Sequence, residues 1–586
     1  MSFKLPPNNQ WTQKNLGDSS GTIWSSYNLD LLLKEGDVKV TKLINNTDST
    51  EVASLGLPVG FVKIDTGSGI TSAPWWTVAG TKVFIGGVRP NNNFVADATS
   101  GTPTTCSSSY SDLAIFNDSM YVTTTSNSVY KYVSGVWSNF TAGGSDTNNV
   151  HLLCQYGNRM YMTRSRSNII SWNTSDTVAT SGQYTLSLGN SYANVITFMK
   201  KASDKIWIGT VNTYNGRGAI YSWDGSSGNP IRYELDSNGV VSGVVHNDIL
   251  YAVDTGGKLL SFNGNSFIEV ARFPNFKKTF FINASNTTND RFIHSNGMAV
   301  IEGKINILIN TKFEASTETP EEMTPSGIWE YDKNLGLYHK YSPSYFEVSG
   351  SITDYGQQRV SAVGGLAYAK SMGTSTNYGV LLAGATIYTD ATTEMSAIFH
   401  DDTSDLDIKT GYLVTTKVPS GAISDEWQRV VIKYNPLSSS NNKIVVKYRL
   451  SDVDPIEATI TWTSTTTFTT TTDLSSYWTS GTGFECEIVQ GNGAGMCSHI
   501  TSITGSGPYT VTVDEVHTGA TSGTAIARFQ KWIKIDYMQD TTSTFKTFGL
   551  PTSASSNYFQ LKVFMIMYNV DELKEVDIQS VVSQSL

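Results

Sequence analysis

The chain has 586 residues, 39% of them hydrophobic and 16% charged, with 50 glycines and a formal net charge of −10. The apolar share suffices for sizeable cores, which excludes a disordered chain, and the charged share lies below the ~25% usual in globular proteins. The acidic balance excludes a nucleic-acid groove, which needs a clustered basic face; "RSRS" at Arg164–Ser167 is the nearest approach to one and reads as a solvated strand end.

The N-terminal "MSFKLPPNNQW" lacks the apolar core of a secretory signal, and no run approaches the ~18 apolar residues of a membrane span. Residues 1–74 read as an extended arm, "SGTIWSSYNLDLLLKEGDVKV", leading into one ring strand, "GLPVGFVKIDTG". Such an arm serves assembly or completes the first unit of the ring.

From residue 75 to 399 one outline recurs. It is a polar turn, an alternating strand, a second turn and a second strand. "NDILYAVDTGGKLLSFNG" from Asn247 is the clearest copy, preceded by "NDSMYVTTTSNSVYKYVSG" from Asn117, "GNRMYMTRSRSNIISWNTS" from Gly157 and "SDKIWIGTVNTYNGRGAIYSWDG" from Ser203. "EGKINILINTK" from Glu302, "GTKVFIGG" from Gly80 and "YGVLLAGATIY" from Tyr378 are looser copies. Tyr121 to Tyr132, Tyr161 to Trp172, and Tyr251 to Phe262 are each 11 residues apart, while Trp207 to Trp223 stretches to 16 through a Gly-rich loop. Hairpins whose turns alone vary behave this way.

Between copies, Phe84, Tyr121, Tyr161, Trp207, Tyr251 and Asn306 are separated by 37, 40, 46, 44 and 55 residues. Such periods predict a β-propeller of about seven blades, with the repeated motif as the inner-to-outer hairpin of each. Trp172, Trp223, Phe262 and Tyr331, each before a turn, are expected to pack between adjacent blades rather than to stack on sugars.

Residues 400–586 change character. "EWQRVVIKYNPLSSSNNKIVVKYRLSD" and "FQLKVFMIMYNVDELKEVDIQSVVS" alternate as the strands of a β-sandwich do. Between them, the Thr-rich "TITWTSTTTFTTTTDLSSYW" and the turn-rich "GFECEIVQGNGAGMCSHITSITGSGPYTVTVDEV" predict a small β-barrel inserted at 455–530 and returning at "ARFQKWIKI". The fold class expected is therefore all-β: a propeller followed by a sandwich with an inserted barrel.

Motifs of chemistry are scarce. "SWDGSSGN" from Ser222 approaches a sialidase Asp box, but Ser226 stands where the box needs glycine. Asp402, Asp405 and Asp407 in "HDDTSDLD" offer oxygens for calcium, yet match no EF-hand, and a solvated loop between domains explains them equally. "PEEM" at Pro320–Met323 reads as soluble loop, and the seven histidines form no metal-ligand pair. Cys106, Cys154, Cys486 and Cys497 show no zinc spacing and are expected as free thiols, Cys486 and Cys497 alone being close enough in sequence to pair. P-loop and dinucleotide fingerprints are absent from the sequence. No catalytic, cofactor-binding or metal residue is therefore expected, and no enzyme.

In the arm, in the loose blades ending "YSWDG" and "SFNG", and in the late "WQRVVIKYNPL…KIVVKYRLSD…ARFQKWIKI…FQLKVFMIMYNVDELKEV", the chain resembles virion structural proteins of tailed bacteriophages. That resemblance implies a rigid docking scaffold in a tail, as nozzle, tip or fibre-associated part, folded in the host cytoplasm. It implies other tail proteins and further copies of the chain as partners, and neither a membrane nor a sequence-specific nucleic acid. It supplies no catalytic residues. The alternative is a carbohydrate- or receptor-binding protein that attaches to host glycans through Trp75, Trp76 or Trp478, and after it a glycoside hydrolase on the propeller axis.

Overall fold

A computed structural model describes, before residue 110, only the strand segments 2–4, 23–27, 60–64, 75–79, 82–88, 93–97 and 103–104. From 110 to 582 it describes the chain except for a series of connections, the longest being 141–150, 274–292, 311–325, 342–359 and 370–379. The described residues are all-β, with one short 3-10 turn at Ser475–Tyr477.

Seven small antiparallel sheets follow one another: 75–104, 110–140, 153–187, 194–234, 240–272, 298–341 and 360–402. In each, the first three strands pair in sequence order, and the first strand of every sheet packs against the first strand of the next. Val360–Ala369, which opens the seventh sheet, packs in turn against Trp75–Ala79, which opens the first. Sheets arranged radially in a circuit of this kind make a β-propeller. The fourth strand of the seventh sheet comes from the N-terminal arm: β3 (Gly60–Ile64) pairs antiparallel with Glu394–Asp402, from Gly60↔Asp402 to Ile64↔Ile398. The arm thus enters the last sheet of the ring rather than the first.

The recurring motif is the central hairpin of each sheet, its second and third strands, and not an inner-to-outer pair. The motif opens on the turn between first and second strands. There, Asn117–Asp118, Ser203–Asp204 and Asn247–Asp248 all hold positive φ. Two-residue hairpins twist correctly only with φ positive at both positions, and Asn and Asp tolerate that best after glycine.

The aromatics behave as a ladder. An aromatic on the second strand of one sheet meets one on the third strand of the next: Tyr121 with Trp172 at 5.4 Å between ring centroids, Tyr161 with Trp223 at 5.3 Å, Trp207 with Phe262 at 4.7 Å, and Tyr251 with Tyr331 at 6.3 Å. Packing between sheets is the role expected for all four third-strand residues. Each such pair adds about 0.5–1.5 kcal/mol beyond its buried area. The residue after the aromatic shapes the following turn: Asn173 Oδ1 accepts from Ser175 and Thr177 N–H, Asp224 from Ser226, and Asn263 from Asn265 and Ser266. In "SWDG" the glycine is required twice over. Gly225 has φ +77°, and a Cβ there would lie 2.8 Å from the Tyr161 hydroxyl, which donates to the Gly225 carbonyl.

After residue 402 the strands regroup. Ile456–Ser464, Thr467–Thr470, Tyr509–Val513, Cys497–Thr504, Thr482–Gly491 and Thr524–Met538 pair in that order, and the last pairs back with the first, closing a circuit. Ile460, Phe468, Cys486, Ile488, Val511, Ala527 and Phe529 fill its interior. Thr524–Met538 is long enough to continue into a second sheet, where its C-terminal half pairs with Lys443–Arg449. That sheet runs on through Tyr558–Met567 and Lys409–Thr415 to β2 (Ile23–Tyr27) at its edge. A separate sheet has the order β1 (Ser2–Lys4), Leu573–Val582, Asp425–Tyr434, Phe545–Gly549. The arm therefore supplies an edge strand to three different sheets.

Candidate functional site

The first candidate lies where the seven sheets meet. Asp112, on the first strand of the second sheet and 5% exposed, accepts from its neighbour Leu113 N–H at 2.9 Å, from Leu153 N–H of the third sheet at 2.8 Å, and from Asn296 Nδ2 at 2.9 Å. Asn296 immediately precedes the sixth sheet. Its Oδ1 accepts from Lys200 Nζ of the fourth sheet at 3.1 Å, its N–H donates to His294 Nδ1, and its carbonyl accepts from Leu366 N–H of the seventh sheet at 2.8 Å. One asparagine thus ties the sixth sheet to the second, fourth and seventh through its side-chain amide and its carbonyl, while its N–H is held locally by His294. Burial pushes the Asp112 carboxyl up from its ordinary range, against the pull of these donors and of Lys200. Burial pulls the Lys200 ammonium down, with Asp112 and Cys154 acting the other way. A carboxylate with three donors, an exhausted amide and an ammonium make a cross-tie. They are not the pair of acids that glycoside cleavage requires.

The second candidate is a buried charge cluster. Glu485 lies on Thr482–Gly491, a barrel strand, while Lys447 and Lys562 lie on Lys443–Arg449 and Tyr558–Met567 of the adjoining sheet. Lys447 Nζ is 2.5 Å from Glu485 Oε2 and Lys562 Nζ is 2.6 Å from Oε1, with side chains 0–2% exposed. Lys562 Nζ also stands 3.9 Å from Glu487 Oε2, 3.9 Å from Cys497 Sγ, and 3.9 Å from the centre of the Tyr412 ring. Burial works against the Glu485 charge, but the two ammonium groups overcome it and hold its carboxyl at about 2. Burial likewise opposes the Lys562 charge and is outweighed by Cys497, Glu485 and Glu487, which raise that ammonium well above its ordinary range.

Glu485, Glu487 and Cys497 place their ligand atoms within 4.8 Å of one another, the convergence a zinc-type ion needs. The residues nevertheless do not fit a metal. Lys562 Nζ already occupies the space between them, and two carboxylates are balanced by two ammonium groups. A divalent ion would leave uncompensated buried charge, and the Cys497 thiol, raised well above its ordinary range chiefly by burial, resists becoming a thiolate. The tethered ammonium is the cation of this site.

Residues singled out in the sequence are dispersed. Trp478 is half-buried against the barrel core. Trp75 and Trp76 sit on the opening strand of the first sheet, and their side chains lie outside the described residues, as do those of Asp402, Asp405, Asp407 and Pro320–Met323. Cys486 faces the barrel interior and Cys497 packs on the outside with Val445 and Phe564; these two point away from each other. Cys106 lies outside the described residues. The "RSRS" segment is not solvated: Ser165 and Ser167 are buried and Arg164 and Arg166 half-buried, because Leu186–Gly189 and the start of the fourth sheet cover the turn. Asp112, Asn296, Lys200, Lys447, Glu485 and Lys562 were not singled out. A usable signal exists for three of them: charged residues interrupt the apolar runs "KIVVKYRL", "FECEIV" and "FQLKVFMIM".

No protein-family model matches the chain, and no curated protein matches it. Among solved structures, the chain is similar to the mitotic checkpoint complex at 13% identity and TM-score 0.32, covering 48% of this chain and 82% of that one. It is similar to BBS1N in complex with ARL6DN at 9% and 0.34, covering 59% and 99%. It is also similar to regucalcin, a calcium-binding protein from Agrobacterium tumefaciens, at 12% and 0.31, covering 58% and 93%. Likenesses this weak carry no argument, and the propeller reading stands on strand order and closure.

Proposed function

We propose that the chain is a non-catalytic structural scaffold: a seven-bladed propeller over 75–399 joined to a C-terminal sandwich over 400–586, with a small barrel inserted at 455–530 and the arm 1–74 binding the parts. The observation that carries this reading is the axial tie, in which the side-chain amide and carbonyl of Asn296 join the sixth sheet to three others. The buried Glu485 cluster supports it, joining barrel to sheet in the same way. Rigidity of this kind suits a part that docks neighbours and transmits load.

The setting we propose is the tail of a tailed-phage virion, assembled in the host cytoplasm, with other tail proteins and further copies of the chain as partners. That setting rests on the sequence resemblance alone. Host attachment through stacked sugars would have in Trp478 only a half-buried ring packed against the barrel core. Mass photometry of the full chain at two concentrations tests the scaffold reading. A discrete, closed oligomer is the expected result. A monomer at both concentrations, combined with saturable binding on a glycan array, would replace the scaffold by a receptor-binding protein.

A further inference from the structure

The Arg164–Ser167 turn is unlike the other connections of the ring. It joins Arg159–Thr163 to Asn168–Asn173 within the third sheet. Its backbone is anchored at both ends: Arg164 N–H donates to Asn168 O at 2.7 Å, Arg166 O accepts from Ile196 N–H of the fourth sheet at 2.8 Å, and Ser167 O accepts from Leu188 N–H at 2.9 Å. Its side chains are a different matter. Ser165 is 8% exposed and its Oγ is shielded from solvent with no hydrogen-bond partner. Arg164 Nε is shielded in the same way, and among the described residues the Arg164 guanidinium makes no hydrogen bond or ion pair. Arg166 brings a second half-buried guanidinium two residues on.

The turn also sits at a defined place. Thr163, just before it, holds Leu152 N–H through Oγ1 at 2.7 Å and pairs its carbonyl with His151 Nδ1 at 2.6 Å. The next residue, Leu153, donates to Asp112. The turn therefore lies at the end of the ring that carries the axial tie.

A shielded guanidinium N–H without an acceptor is costly, and arginine can only donate. The unengaged Arg164 Nε and Ser165 Oγ are donors beside a second guanidinium, that of Arg166, which has an interaction of its own and adds positive charge within a chain of net charge −10. The complementary group is an oxyanion, whose oxygens match the planar fork of arginine. We propose that the Arg164–Ser167 turn binds an oxyanion, a carboxylate, phosphate or sulfate group, with Arg164 and Ser165 as donors and Arg166 supplying charge. This site would read a partner's acidic group at the mouth of the ring, and it stands whether or not the scaffold reading does.

Calorimetric titration of the full chain with sodium phosphate, sodium sulfate and sodium acetate, each against sodium chloride at equal ionic strength, tests it. Saturable heat with at least one oxyanion and none with chloride is expected. Arg164→Gln should weaken that binding about 10–100-fold, the worth of a charge-assisted hydrogen bond, while Arg232→Gln on the exposed edge of the fourth sheet leaves it unchanged. Preference for phosphate or sulfate assigns a tetrahedral group, and preference for acetate assigns a carboxylate such as an acidic side chain. If Arg164→Gln fails to fold, Ser165→Ala carries the same comparison. Absence of saturable heat, equal heat with chloride, or unchanged affinity in the Arg164 and Ser165 variants overturns the proposal.

Discussion

Asn296 and Asp112 lie 184 residues apart in the chain, and their hydrogen bond joins opposite parts of the ring. Asn296→Ala removes the side-chain ties to the buried Asp112 and the half-buried Lys200. The expected loss is about 1–3 kcal/mol, chiefly from Lys200, because Asp112 keeps the Leu113 and Leu153 N–H groups, and it is read by thermal or denaturant unfolding. Asn296→Asp should be worse than alanine near neutral pH, because it sets a second carboxylate against Asp112. A variant as stable as wild type would show that the ring closes without this residue. Nothing in the sequence marks Asn296 or Asp112, since a contact so remote leaves no periodic trace in either segment.

Buried titratable groups also set the acid response. His339 is held neutral by burial with its imidazole at about 3, and His499 likewise at about 4, both below the ordinary 6.5. The unfolded chain binds protons at these histidines before the folded chain does, so stability is full above about 6.5 and falls as pH drops toward 4 and 3. Glu485 extends the loss: the two ammonium groups hold its carboxyl at about 2 against an ordinary 4.5, so its contribution disappears as pH falls between those values. Lys562→Met should cost about 3–5 kcal/mol at neutral pH by leaving Glu485 and Glu487 under-compensated, and it should flatten the loss below pH 4.5. Unfolding free energy measured across pH 2–8 in both proteins checks the two slopes.

Among the strands, the hairpins could be read from the sequence because their aromatic spacing of 11 residues survives variation in the turns. Which strands they were could not. The polar turn that opens each motif reads the same whether the first strand lies before it or after it. The ladder itself follows a simple register rule: Tyr161 pairs across the hairpin with Ser171, and the aromatic in contact with it, Trp223, belongs to the next sheet. Trp223→Ala should therefore destabilise by about 3–5 kcal/mol, as other buried tryptophan truncations do. In a double-mutant cycle with Tyr161→Leu, a coupling of about 0.5–1.5 kcal/mol is expected, and a coupling near zero would mean that the two rings merely share a core. The "RSRS" turn shows the converse difficulty. Its composition reads as solvent-facing, and only the neighbouring sheet that covers it makes it half-buried.

The arm gives the molecule its connectivity. A strand added at a sheet edge is held by backbone pairing, which any sequence can supply, so the sequence showed an arm and a ring strand but not the three sheets they complete. Removing residues 1–27 takes away β1 and β2 and bares the edges of Leu573–Val582 and Lys409–Thr415, while β3 still completes the seventh sheet. Amide hydrogen exchange should then accelerate at least about tenfold in those two strands, with the third to fifth sheets unchanged, because local opening follows the elements that lose partners and β2 also packs against Gly336–Tyr341 of the sixth sheet. Removing residues 1–64 should extend the acceleration to Glu394–Asp402 and from there to the first strands of its neighbours, because the seventh sheet then keeps only three strands. Sheets that hold one another in a circuit lose protection together when one of them is weakened. A deletion that leaves Glu394–Asp402 as protected as before would mean that β3 decorates the ring without closing it.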